Sequence, residues 1–282
     1  MDLGLKDRVV LITGASGGLG RSLAEAFLAE GCLLALQGHR HLDELRAFAQ
    51  TQLQAERVLV LGADVTEPAQ VETAVVATLE RFGHIDVCIV NAGIWWEESS
   101  RLDEMTVERI RHTIAVDLMG AVWTVRAFMR ALASAPPPES RRGASATFIG
   151  STAGRFGEKG HCDYSASKAA LYGLVRSLKN EIVTLDPYAR VNMVEPGWTL
   201  TPMTRETLKS AKSLERIVGT MPLQQIARAD DIARAVLFLS SPLAARHISG
   251  EILTIAGGME GRIQWEPGQI DVHAIRSRLE HE

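Results

Sequence analysis

Short apolar runs recur along the chain, each followed by a longer stretch of mixed polarity. The runs are Val9–Ile12, Leu33–Leu36, Val58–Leu61, Val87–Val90, Ala146–Ile149, Val191–Val194 and Ile252–Ile255. Their brevity and near-continuous hydrophobicity are those of strands buried on both faces. Between them the apolar residues return with a helical period. Leu19, Leu23 and Phe27 mark one such stripe, and Leu174, Leu178 and Ile182 another. Strands alternating with helices predict an α/β fold, a doubly wound parallel sheet of about seven strands with right-handed crossovers and helices on both faces. The unbroken alternation predicts one domain over residues 1–258, followed by a tail over 259–282.

Two stretches leave this rhythm. Residues 133–145, ASAPPPESRRGAS, read as a polar, proline-rich exposed connection without function. The tail, MEGRIQWEPGQIDVHAIRSRLEHE, shows little periodicity before a short helix near its end. Packing over a site, a subunit contact and partial disorder all remain open for it.

Composition narrows the function. With 282 residues, 46% of them hydrophobic, the chain can bury one large core. A net charge of −4 and a pI near 6.1 provide no basic field, and only SRRG at 140–143 clusters positive charge. Nucleic acid is therefore not an expected partner. No apolar run is long enough to span a bilayer, so no membrane partner is expected either. The N-terminus enters the first strand within eight residues, which leaves no room for a leader peptide and gives a cytoplasmic expectation. Cys32, Cys88 and Cys162 are far apart and lack metal-ligand spacing; reduced thiols are expected, and no metal site.

The first strand runs directly into TGASGGLG, residues 13–20, and then a helix. Glycines at 14, 18 and 20 allow a tight turn and close approach of a ligand. The helix start beyond them presents unpaired N–H groups and a positive dipole end, which suits a phosphate. Strand before and helix after are the context a dinucleotide site requires. Three residues separate the first two glycines, which departs from the commoner GxGxxG spacing.

With this turn the chain resembles the classical short-chain dehydrogenase/reductase family, and further motifs follow in order. They are ADV (63–65), NAG (91–93), IGSTAG (149–154), YSASK (164–168) and EPGWTLTPM (195–203). The resemblance covers roughly residues 8 to 258 and is similar to the 3-oxoacyl-carrier-protein reductase branch. It implies a Rossmann-type fold, a nicotinamide cofactor and a homodimer or homotetramer. The cofactor residues it implies are Gly14, Ser16, Gly18, Leu19 and Gly20 of the turn, Asp64 and Val65 near the adenine, and Asn91, Ala92 and Gly93. Pro196, Gly197, Thr199 and Thr201 would hold the nicotinamide end, with Thr201 on the carboxamide.

The same resemblance assigns the chemistry to Ser151, Tyr164 and Lys168. Tyr164 follows Ser151 by thirteen residues and precedes Lys168 by four, so Tyr164 and Lys168 share a helical face. A phenol titrating near 10 is a poor acid at neutral pH, and a neighbouring ammonium is expected to lower it. Tyr164 would protonate the carbonyl oxygen, Ser151 would orient it, and Lys168 would also bind the nicotinamide ribose. Asp117 stands where classical members carry asparagine. It lies on the helical stripe of Ile110, Ile114, Ala121 and Val125, three residues after Ile114. A buried carboxylate needs a partner, and the expectation is that Asp117 competes with Tyr164 for Lys168 and raises the working pKa of the tyrosine. Satisfaction by local backbone or water is the alternative.

NAD-preferring relatives of this type carry an acid at the end of the second strand. Here Gly38 takes that position, and His39 and Arg40 follow, suited to a 2′-phosphate. NADP is therefore favoured, with NAD possible. Trp95, Trp96, Phe156, His161, Trp198 and Met203 are expected to border a pocket for a bulky or apolar carbonyl compound, and the family resemblance implies a mobile lid over it from Thr204 to Gln225. Trp95, Trp96 and Trp198 could equally belong to a subunit interface. The reading is an oxidoreductase that interconverts a carbonyl and a secondary alcohol. An NAD-dependent alcohol or sterol-type dehydrogenase is the alternative within this class. A non-catalytic dinucleotide sensor or scaffold is the alternative outside it.

Overall fold

In the computed structural model, which describes residues 2–261, 263, 265 and 268–280, all seven apolar runs become strands of one parallel sheet. In chain order the elements are β1 (Val9–Ile12), α1 (Gly18–Ala29), β2 (Leu33–Gly38), α2 (Leu42–Gln52), β3 (Val58–Gly62), α3 (Pro68–Phe82) and β4 (Val87–Val90). There follow α4 (Val107–Ile114), a π-helical turn (Ala115–Met119), α5 (Gly120–Ser134), β5 (Ser145–Ile149), α6 (Thr152–Phe156), α7 (Cys162–Glu181) and β6 (Arg190–Pro196). The chain closes with β7 (Thr199–Leu200), α8 (Arg205–Lys209), α9 (Ala211–Val218), β8 (Ala227–Arg228), α10 (Ala229–Ser240), β9 (Ile252–Ile255) and α11 (Val272–Glu280).

The sheet order is β3–β2–β1–β4–β5–β6–β9, and β7 pairs with β8 in a separate two-stranded sheet. The order reverses between β1 and β4, so the crevice at the carboxyl ends of these strands is where a ligand site forms. Strand alternation divides the core between two layers. Leu11 and Ala35 face a cluster with Val75, Val125, Phe128 and Val175, under α3, α5 and α7. Val10, Ile12 and Leu34 face the other, with Phe27, Leu45, Ile232 and Val236, under α1, α2 and α10.

Some sequence expectations shift. On α7 the fully buried apolar residues are Leu171 and Val175, while Leu174 and Leu178 are only half-buried. The connection before β5 is tied down rather than a free loop: Gly143 N and Ala144 N donate to Asp186 Oδ2 at 2.7 and 2.8 Å, and Arg8 Nη1 donates to Arg141 O at 2.9 Å. Its backbone groups need these partners because the chain enters a central strand there.

A third apolar cluster joins Leu208, Leu214, Ile217, Val218 and Met221 with Ile275 of α11. Trp265 Nε1 donates to Met221 O at 2.6 Å. The tail thus packs on the α8–α9 segment. The tail residues 262, 264, 266, 267, 281 and 282 lie outside the described residues.

Candidate active site

The turn after β1 is pinned from two neighbouring strands. Gly14 N donates to Gln37 Oε1 at 3.0 Å, and Asn91 Nδ2 donates to Thr13 O at 2.8 Å. Gly14 has φ +64°, and a Cβ there would meet Ala92 Cα at 2.7 Å. A Cβ on Gly20 would meet Ala15 Cα at 2.6 Å, so α1 can pack this closely only with glycine. The N-cap, Gly17, offers no side-chain hydrogen bond to the helix. The first N–H groups of α1 therefore lack intrahelical acceptors, and they border a cavity of about 370 Å³. An uncapped, glycine-lined helix start at the sheet's switch point is suited to the pyrophosphate of a dinucleotide.

The same cavity takes in Ser16, Leu19, Asn91, Gly93, Pro196, Gly197, Thr199 and Thr201, together with Ser151, Tyr164 and Lys168. Ser151 is the N-cap of α6, its Oγ accepting from Ala153 N at 3.2 Å, which fixes it at the carboxyl end of β5. Tyr164 lies in the first turn of α7. α6 sits tightly on α7, since a Cβ on Gly154 would meet Ala169 N at 2.8 Å. Ser151 and Tyr164 thus line the same cavity.

Lys168 is buried, and its Nζ donates to Ile149 O at 3.1 Å. It also stands 3.9 Å from Asp117 Oδ1 and 5.5 Å from the Tyr164 ring centroid. Asp117 is 1% exposed, and its Oδ1 accepts from Ile94 N at 2.9 Å. Its Oδ2 is buried with no hydrogen-bond partner among the described residues.

The expected stripe around Asp117 is corrected here. Ile114 is exposed, and the buried positions are Thr113, Val116, Asp117, Gly120 and Ala121. The π turn inserts extra arc at Ala115–Met119 and rotates the buried face away from Ile114. That face is partly polar because it meets α7: Thr113 Oγ1 donates to Asp163 Oδ2 at 2.9 Å, and Arg109 Nε donates to the same oxygen at 3.1 Å.

The electrostatics also differ from expectation. Burial, followed by the Asp117 charge, pushes the Tyr164 phenol above its ordinary value, and the Ser151 hydroxyl only partly opposes this. The expected lowering by Lys168 does not prevail, because that ammonium is turned toward Ile149 O and Asp117. Burial pushes the Lys168 ammonium down while Asp117 opposes it. Burial also raises the Asp117 carboxyl to about 6, against the pull of Lys168 and of the Ile94 N–H.

Of the six side chains expected to border a substrate, Trp95, Trp198 and Met203 line the cavity. Trp96 does not: its Nε1 donates to Thr113 Oγ1 at 2.9 Å. His161 lies behind the wall, stacked on Trp95 at 3.8 Å between ring centroids. Phe156 is exposed and packs toward Gly261. Ala92, Asp117, His39, Arg40, Asp64 and Val65 are outside the lining. His39 Nδ1 stands 3.6 Å from Asp64 Oδ2, and Arg40 is exposed. One residue that sequence reasoning missed, Glu158, lines the same cavity as Trp95 and Tyr164.

The profile of the short chain dehydrogenase family matches residues 8–212. The chain belongs to this family. It is 33% identical to an L-rhamnose 1-dehydrogenase (NAD(P)(+)) of Azotobacter vinelandii over 268 residues, 92% of this chain and 99% of the relative. It is 32% identical to the 3-oxoacyl-[acyl-carrier-protein] reductase of Escherichia coli over 257 residues, 91% of this chain and 99% of the relative. A short-chain dehydrogenase from Burkholderia cenocepacia, solved in complex with NADP, superposes with a TM-score of 0.80 at 30% identity, over 90% of this chain and 98% of that one. Membership makes this chain an oxidoreductase of hydride transfer between a nicotinamide cofactor and a carbonyl or alcohol.

Proposed function

We propose that the chain is an NADPH-dependent carbonyl reductase in which Tyr164 is the proton donor. The observation that carries the reading is one cavity in which Ser151, Tyr164 and Lys168 meet the uncapped, glycine-lined start of α1. The Gly14–Gly20 turn would hold the pyrophosphate; Asn91, Gly93, Lys168, Pro196, Gly197, Thr199 and Thr201 would hold the nicotinamide riboside. Asp64, Val65 and Ala92 would frame the adenosine side. When bound, the reduced nicotinamide supplies the hydride.

The rest belongs to the chain. As the carbonyl carbon gains hydride, negative charge grows on its oxygen. Ser151 donates a hydrogen bond to that oxygen and Tyr164 delivers the proton, which completes the alcohol. A phenol held above its ordinary pKa stays protonated across the neutral range, so Tyr164 carries a proton to give, although it gives it less readily than a phenol lowered by an ammonium. Lys168 places positive charge beneath the tyrosine, and Asp117 holds that ammonium from the other side.

NADPH is preferred over NADH in this reading because Gly38 replaces an acid that would repel a 2′-phosphate, while His39 and Arg40 stand next to it. The proposal includes a cytoplasmic homodimer or homotetramer, on family resemblance, which sedimentation checks. The test of function is a panel of cyclic and linear ketones with each cofactor, followed by nicotinamide absorbance. Turnover with NADPH supports the reading. Dinucleotide binding without turnover of any ketone or alcohol would return the protein to a sensor or scaffold.

A further inference from the structure

Among the described residues, two ionisable side chains other than tyrosine line the cavity, Lys168 and Glu158. Lys168 already has its roles in the chemistry described above, which makes no use of Glu158. Its backbone is fixed from both sides. Glu158 N donates to Ser165 Oγ at 3.0 Å, and Glu158 O accepts from His161 N at 3.0 Å. Gly157 and Gly160 flank it with φ of +76° and +83°. Its side chain is 24% exposed, and burial raises its carboxyl above the ordinary range.

Arg216 of α9, which is not among the residues lining the cavity, brings Nη1 to 3.9 Å from Glu158 Oε1. That distance is beyond a hydrogen bond, so both groups keep donors and acceptors for a third partner. The adjoining wall is aromatic: Trp95 meets Trp198 edge-on at 6.4 Å and Tyr164 at 5.0 Å.

We infer that Glu158 selects a neutral, polyhydroxylated carbonyl substrate, accepting hydrogen bonds from hydroxyls next to the reacting carbon while its C–H face lies on the aromatic wall. Three groups are weighed against one another. A carboxylated substrate would be repelled by Glu158 and attracted by Arg216, so it gains nothing net from the pair. An ammonium would gain from the carboxylate but meets Arg216, so the pair presents no net charge to it. A hydroxyl uses both members, donating to Glu158 and accepting from Arg216. A plain hydrocarbon ketone would leave the half-buried carboxylate without a partner, at a cost in affinity.

This inference rests on the hydride-transfer reading, and its test separates the two. The measurement is kcat/KM with NADPH for cyclohexanone, its 2,3-dihydroxy, 4-carboxylate and 4-ammonium counterparts. The dihydroxy compound is expected to exceed cyclohexanone at least tenfold, and the carboxylate to show no gain over it. In Glu158→Gln the dihydroxy-to-plain ratio is expected to fall about tenfold, the effect of a hydrogen bond to a charged acceptor. Arg216→Ala, at an exposed position of α9, tests the donor half independently of any folding defect at Glu158, and the ratio is expected to fall several-fold. Turnover that favours the ammonium or carboxylate compound, or does not distinguish the four, overturns the inference and leaves hydride transfer intact. Absence of turnover on all four overturns both.

Discussion

Lys168 Nζ lies 3.9 Å from Asp117 Oδ1, and both side chains are buried beneath Tyr164. The Asp117 charge acts on Tyr164 to keep its proton. Removing it in Asp117→Asn lowers the tyrosine's pKa. In the direction of alcohol oxidation, which needs the phenolate, the ascending limb of kcat/KM against pH is expected to move to lower pH. An unmoved limb would detach Asp117 from the proton donor.

The same carboxyl makes stability depend on pH. Its pKa in the fold is raised from 3.8 to about 6, so the native state binds the proton more tightly than the unfolded chain. That contribution is complete below the unfolded value and is lost as pH rises through about 6. Asp117→Asn is therefore expected to shift Tm more favourably at pH 8 than near pH 4. Equal effects at both pH values would contradict this.

Ile275 of α11, 2% exposed, locks the tail onto α8 and α9. Ile275→Ala is expected to cost about 2–5 kcal/mol locally. Hydrogen exchange should accelerate over residues 205–221 and KM should rise, with the central strands unaffected. Unchanged exchange in that segment would mean that the tail does not hold it.

Arg40 follows the end of β2 by two residues. Arg40→Ala is expected to weaken NADPH binding about tenfold by fluorescence titration while changing NADH binding far less. Equal losses for the two cofactors would remove Arg40 from a 2′-phosphate site.

The strands are legible in the sequence because burial on both faces leaves a short continuous apolar run, and few elements besides a buried strand produce one. β2 and β6 extend beyond their predicted ends into Gln37, Gly38, Arg190, Glu195 and Pro196, where polar or special residues hide a strand boundary. Ser151, Tyr164 and Lys168 are legible through motif order, and one cap and one helix face position them. The π turn is not legible, since periodicity assumes a constant turn and so places Ile114 inside. Loop side chains are read least well. Trp96 and His161 are drawn behind the wall by Thr113 and Trp95, contacts that depend on tertiary packing. Glu158 gives no signal because its partner, Arg216, is 58 residues away on α9.

The most direct test is turnover of a ketone with NADPH by Tyr164→Phe, beside NADPH titration of the same protein. Phenylalanine keeps the ring against Trp95 and removes only the proton donor. The expected result is loss of turnover by at least a hundredfold, with NADPH binding retained within a few-fold. Turnover near the wild-type rate would mean that the proton comes from elsewhere, and that Tyr164 is not the acid of this site.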